Sequence, residues 1–173
     1  MEVTEGCDQN HKGSGKSSTT VCAVTNRLPI AKPTMPHAVL LYDGLCGLCD
    51  RAVQFTLRYD RDDLFRFAPL QTALAAAILR RHGFDPAVLT TAVLVLDPEL
   101  PTERLMIRSN AVLQLLSGLG PPWTVIAAVG RLCPHWIRDR IYDWVASVRY
   151  RVFGRYSSCP VPTPAQRLKF LAW

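Results

Sequence analysis

The chain has 173 residues, of which 49% are hydrophobic and 20% charged, and a formal net charge of +6. That length and apolar content allow one substantial core and exclude the polar, charge-dense composition of an intrinsically disordered protein. No run approaches the ~18 consecutive apolar residues of a bilayer-spanning helix, so no membrane span is expected; the longest apolar stretches, AVLLY and TTAVLVL, are strand-sized.

The excess charge sits in the last third, where residues 121–173 carry eight basic and two acidic side chains. It reads as a solvated, arginine-rich helix face. No aromatic-basic motif accompanies it, so no nucleic-acid partner is expected.

Residues 1–36 are rich in Gly, Ser, Thr and Pro, lack a hydrophobic period, and read as a disordered extension. Their stretch NHKGSGKSS imitates a phosphate-binding loop, but Asn10 stands where the first glycine belongs and no strand precedes it. Translation from Met35 is a plainer expectation, which the intact mass of the native protein tests. The segment also lacks the apolar core and cleavage site of a secretory signal. The expected compartment is therefore a reducing cytosol, where a close cysteine pair is catalytic or metal-binding rather than a structural disulfide.

Regular signals begin at residue 37. HAVLLY, bounded by the turn DGL, predicts a buried strand. From residue 46 to about 59, Cys49, Val53, Phe55 and Leu57 are interspersed with Asp50, Arg51, Gln54 and Arg58, the pattern of a helix with one inward face. LFRFAPL alternates as a brief strand, and Pro69 bars a helix through it. QTALAAAILRRHGF predicts a second helix, with Arg80, Arg81 and His82 in its last turn and Gly83 as its stop.

TTAVLVLD and RLMI predict two further strands, and Ser109 is expected to cap the helix NAVLQLLSGLG. After Pro121-Pro122 come a short helix, WTVIAAVGRL, and a long one, HWIRDRIYDWVASVRYRVFGRY. The stripe Ile137, Ile141, Trp144, Val145, Val148 and Val152 is expected to pack on the rest of the domain. The tail SSCPVPTPAQRLKFLAW reads as a proline-rich turn and a last helical segment with Leu168, Phe170, Leu171 and Trp173. This order predicts one α/β domain over residues 37–173: a mixed four-stranded sheet with flanking helices, and a helical C-terminal region from about residue 121. It matches a thioredoxin-type sheet.

The pair Cys46 and Cys49 in YDGLCGLCDR falls where the first strand ends and the first helix begins. Unpaired N–H groups and the dipole at a helix N-terminus favour a thiolate, whose free pKa is about 8.5. Cys46 is the expected nucleophile. Cys49, one turn deeper on the same face, is the expected resolving thiol, attacking the mixed disulfide at Cys46 and leaving a Cys46–Cys49 disulfide. Gly47 and Leu48 are expected to leave Cys46 uncrowded, with Leu48 offering a partner an apolar contact. Asp43 and Asp50 are candidate supporting residues, opposing thiolate formation or relaying a proton. Asp43 reads equally as an Asx-turn residue. Arg51 offsets the two acids or is simply solvated.

Two other readings of the pair stand beside this one. A structural zinc site would recruit Cys133 and His135 from LCPHW, although no second Cys-x-x-Cys exists. Alternatively the thiols are buried and inert. Cys133 and Cys159 each precede a proline and are expected to pack as small apolar groups, and Cys7 and Cys22 lie in the extension. His37, His82 and His135 read as a strand-edge residue, a helix C-terminal cation and the first residue of a helix.

Taken together, LLYDGLCGLCDRAVQF, FRFAPLQ, SNAVLQLL, IYDWVASVRYRVFGRY and CPVPTPAQRLKFL resemble the DCC family of predicted thiol-disulfide oxidoreductases, over residues 38 to about 171. The resemblance implies a thioredoxin-like fold, with Cys46 and Cys49 as the redox pair and a helical region that ordinary thioredoxins lack. The chain departs from thioredoxin in having no tryptophan before Cys46, no proline between the cysteines, and Thr90-Thr91 where thioredoxins place a cis-proline. The expected activity is dithiol/disulfide exchange of the protein-disulfide reductase type, with no cofactor beyond the pair itself. The expected partners are a disulfide-containing protein or small-molecule thiol substrate and a recycling reductant. A zinc-stabilised module, or a binding module using its basic helix, is the alternative.

Overall fold

The computed structural model describes residues 38–87 and 91–172. The expected extension of residues 1–36, with its loop imitation, Met35, Cys7 and Cys22, lies outside them, as do His37, Thr90 and Trp173. The elements are β1 (Ala38–Tyr42), α1 (Gly47–Tyr59), β2 (Phe65–Pro69), α2 (Ala73–Arg81), β3 (Val93–Leu96), β4 (Arg104–Ile107), α3 (Arg108–Gly118), α4 (Trp123–Leu132) and α5 (His135–Phe153), followed by a 3-10 turn at Arg167–Lys169.

The four strands form one mixed sheet in the order β2-β1-β3-β4. β1 runs parallel to β2 and antiparallel to β3, which pairs antiparallel with β4. A parallel pair needs a crossover between its strands, and α1 supplies it. Successive strand residues face opposite sides. Leu40 and Tyr42 pack with Val53 of α1, Ala111 and Leu115 of α3, and Phe170 of the tail. Val39 and Leu41 pack with Ala75, Ile78 and Leu79 of α2. Burial on both faces is why β1 reads as a continuous apolar run. The Asp60 carboxylate, buried after α1, accepts from the N–H groups of Leu64 and Phe65 and binds Lys169 Nζ at 2.7 Å, tying the tail to the sheet.

Two expectations fail here. Ser109 does not cap α3, which starts at Arg108; the serine is buried and its hydroxyl donates to Asp139 of α5. Nor does α5 dock through the whole of its apolar stripe, of which Ile137, Val145 and Val148 are half-buried. Ile141, Trp144 and Val152 are 56%, 66% and 66% exposed, and the buried residue of the helix is Arg149. α5 docks instead through Asp139, Tyr142 and Arg149, which lie along one face. Asp139 accepts from Ser109. The Tyr142 hydroxyl shares a 2.6 Å hydrogen bond with Thr91 and accepts from Ala92 N–H, and Arg149 reaches Asp43. Buried polar groups require partners, so these bonds fix which face of α5 turns inward. Arg140 and Arg151 are solvated as expected, whereas Arg149 is not.

Candidate active site

β1 ends at Tyr42, and a tight loop carries the chain into α1. In that loop Asp43 Oδ1 accepts from Leu45 N–H at 3.0 Å, and the Asp43 carbonyl accepts from Cys46 N–H at 3.2 Å. This is the Asx turn, and it aims the next residue at the helix tip. Cys46 is the N-cap of α1, with extended backbone, and its carbonyl accepts the N–H of Asp50 at 3.0 Å. Cys49 follows in the first turn. Its thiol is hydrogen-bonded to Cys46 and its pKa is pushed up to about 12, by burial first and then by the charge of Cys46 and that hydrogen bond. The Asp43 backbone and the Arg149 guanidinium pull it down, less strongly.

Cys46 is fully buried, which corrects the expectation that it stands uncrowded. Its cover is the end of α5. At Gly154 the backbone takes φ 79°, a conformation glycine adopts without strain, and the chain turns back across the dithiol loop. Gly47 N–H donates to the Gly154 carbonyl at 3.3 Å, Tyr156 N–H donates to the Leu45 carbonyl at 2.8 Å, and Cys46 and Arg155 form an antiparallel bridge. Gly47 permits the approach: a Cβ there would lie 2.2 Å from the Phe153 carbonyl oxygen. Arg51 stacks its guanidinium 5.3 Å from the centre of the Phe153 ring. The glycine between the cysteines thus admits a backbone strap, made by the FGRY of RYRVFGRY.

The RY that opens the same motif serves Asp43, which is buried. Its Oδ1 also accepts from Gln71 Nε2 at 3.0 Å, while Oδ2 accepts from the Tyr150 hydroxyl and pairs with Arg149 Nη2 at 3.4 Å. Burial alone would raise the Asp43 pKa. The bonds from Tyr150, Leu45 N–H and Gln71, with the Arg149 charge, outweigh it and hold the carboxyl below its ordinary value. Asp43 is therefore a turn residue and the anchor of a buried cation beside the dithiol.

The charge of Asp50 raises the pKa of Tyr42 and of Cys159. Cys159, expected to be a bystander, is half-buried beside the loop. Its sulfur sits 2.6 Å from where a Cβ on Gly44 would be, and it hydrogen-bonds Tyr42. Burial first, then Cys159, Asp50 and Cys49, push the Tyr42 pKa up. Arg149, Tyr150 and Cys159 escaped sequence reasoning because each lies more than a hundred residues from its partner in the loop; the one local signal was the clustering of RYRVFGRY.

Among the described residues no group of three or more His, Cys, Asp or Glu side chains is placed to hold a metal ion. His135, a ligand in the zinc reading, has a side chain 70% exposed and lies 3.6 Å from Asp139.

A dithiol at the N-terminus of the first helix, on a mixed four-stranded sheet with α1 and α3 on one face and α2 on the other, defines a thioredoxin-like protein with an added helical arm. The chain belongs to the DCC1-like thiol-disulfide oxidoreductase family, whose model matches residues 40–155. It is 31% identical over 137 residues to the protein YuxK of Bacillus subtilis (strain 168), covering 79% of this chain and 96% of that protein. It is 35% identical over 121 residues to a chloroplastic DCC family protein of Arabidopsis thaliana, covering 70% of this chain and 67% of that one. No solved structure matches it. The family supports a thiol-disulfide redox role. Among the described residues no helix is long and apolar enough to cross a membrane.

Proposed function

We propose that the protein is a thiol-disulfide oxidoreductase of the protein-disulfide reductase type, cycling between a Cys46/Cys49 dithiol and a Cys46–Cys49 disulfide. The observation that carries this reading is the placement of the pair, with Cys46 the N-cap of α1 and Cys49 in its first turn, near enough for the charge of Cys46 to act on the Cys49 thiol. Cys46 attacks a substrate disulfide; Cys49, its proton held by burial until the mixed disulfide forms, then displaces the substrate thiol. Arg149 and Asp43 position the pair. Exchange at Cys46 requires that residues 153–156 part from the loop or that the disulfide arrive past Cys49. The substrate is a disulfide of a protein or small molecule, an external dithiol recycles the pair, and no further cofactor takes part. A reducing cytosol suits that direction of electron flow.

Equilibrating the full chain in dithiothreitol buffers of graded redox ratio, then alkylating and weighing it, tests this. The expected result is loss of two alkylation sites, mapped to Cys46 and Cys49, in one two-electron transition. Retention of both sites under oxidising conditions overturns the reading.

A further inference from the structure

Beside the dithiol lies a cavity of about 530 Å³ between α1, α3, α4 and α5, a volume typical of small-molecule sites. Leu48, Cys49 and Ala52 form its α1 wall, with Val112, Val145 and Ala146 among the apolar residues around it. Cys133 lines it as well, packed as a small apolar group as expected. Polar groups are few. Among the described residues no aspartate or glutamate lines the cavity, and its charged groups are Arg138 and Arg149.

Those two arginines are incompletely satisfied. Arg149 is 7% exposed; its Nη2 binds Asp43 and Tyr150, but its Nε has no hydrogen-bond partner. Arg138 leaves both Nε and Nη1 buried and without a partner. A buried donor left without an acceptor is destabilising, and more so on a cation. Among the described residues these two arginines are the charged groups lining the cavity, and with three donors between them unmade they favour an anionic occupant. A carboxylate supplies the charge, and the hydrocarbon attached to that carboxylate takes the apolar walls.

We propose that this cavity binds a small disulfide with a hydrocarbon body and one carboxylate, and delivers its sulfurs to the Cys46–Cys49 pair. The proposal rests on the dithiol reading above and narrows it. The strap of residues 153–156 covers Cys46, while Cys49 stands in the cavity wall, so the cavity offers a small disulfide a way to the pair with the strap in place. In the reaction the ligand's S–S bond breaks and the Cys46–Cys49 bond forms. Two electrons pass from the protein dithiol to the ligand sulfurs, and the two thiol protons go to the released ligand dithiol.

The test uses the full chain in two arms. In the first, calorimetry follows binding of octanoate and octanamide, which cannot exchange disulfides. Octanoate binds more tightly than octanamide, and Arg138→Gln weakens octanoate by about tenfold while sparing octanamide. Ala146→Leu, which fills the cavity, weakens both probes and decides the matter if the arginine variant fails to fold. In the second arm, reduced protein meets lipoate, lipoamide or hydroxyethyl disulfide in single turnover. Lipoate half-saturates at a concentration about tenfold below lipoamide, and Arg138→Gln removes that difference.

Absent octanoate binding, binding undiminished in both variants, or equal half-saturation by lipoate and lipoamide overturns the proposal. A pair that titrates in redox buffers while failing these arms leaves the dithiol reading standing. A pair that never forms its disulfide ends that reading, and the octanoate titration still decides the cavity.

Discussion

The sheet with its three helices and the arm formed by α4, α5 and the strap are held in different ways. From β1 to α3 the chain buries apolar side chains on both faces of the sheet, and Val39, Leu41, Phe67 and Leu94 have at most 1% of their surface exposed. The arm has one fully buried apolar side chain, Ala127 of α4, and α5 attaches through Asp139, Tyr142 and Arg149. Apolar burial is non-directional, whereas a buried ion pair fixes position. The difference suits their tasks: the sheet carries the dithiol, and the arm places one cation and one backbone strap against it.

Cutting the sheet's core has the largest effect. Phe67→Ala removes a fully buried ring that packs on Phe170 at 5.4 Å between centroids, and costs about 4 kcal/mol in urea unfolding. Arg149→Met follows at about 3 kcal/mol, because it strands the Asp43 carboxylate among its remaining partners. Unlike the first variant it also changes reactivity. The guanidinium charge lowers the Cys49 pKa, so its removal shifts the pH profile of Cys49 alkylation upward. An unchanged profile would make Arg149 purely structural.

Gly47→Ala probes the strap. Its methyl would meet the Phe153 carbonyl, so the strap lifts, stability falls by about 2 kcal/mol, and Cys46 alkylates faster in the native state. Asp43→Asn comes next and depends on pH. The folded pKa of Asp43 is depressed, so its stabilisation is fully present above the ordinary carboxylate value of about 3.9 and is lost as pH falls through the folded value. The gap in urea midpoint between the native protein and Asp43→Asn is therefore wide at neutral pH and narrows as pH falls below about 3.9.

Sequence legibility divides along the same line. β1 through α3 could be read in order because local pattern and burial agree there: AVLLY has both faces covered, and Thr72 caps α2 by accepting from Ala75 N–H. The dithiol's place at the tip of α1 followed from the same local order. The arm could not be oriented, because α5 exposes Ile141, Trp144 and Val152 of its apolar stripe and anchors itself through Asp139, Tyr142 and Arg149. Arg149 bonds to Asp43 across 106 positions and Tyr142 to Thr91 across 51, separations that no helical period encodes. Ser109 has the residue type of a cap and sits at a helix start, yet its hydroxyl is used by α5. Burial of Cys46 was hidden for the same reason, since its cover arrives from residues 153–156.

The smallest expected effect separates the two readings of α5. Packed as its periodicity suggests, Trp144 and Val152 would be core residues, and truncating either would cost 2 kcal/mol or more, by analogy with about 2–5 for large core side chains. Both are 66% exposed. Trp144→Ser and Val152→Thr therefore each change stability by less than about 0.5 kcal/mol in urea unfolding, because little apolar area leaves water at those positions on folding. A loss above 1 kcal/mol in dilute protein would mean that α5 rotates its apolar stripe inward, and that rotation would carry Arg149 away from Asp43.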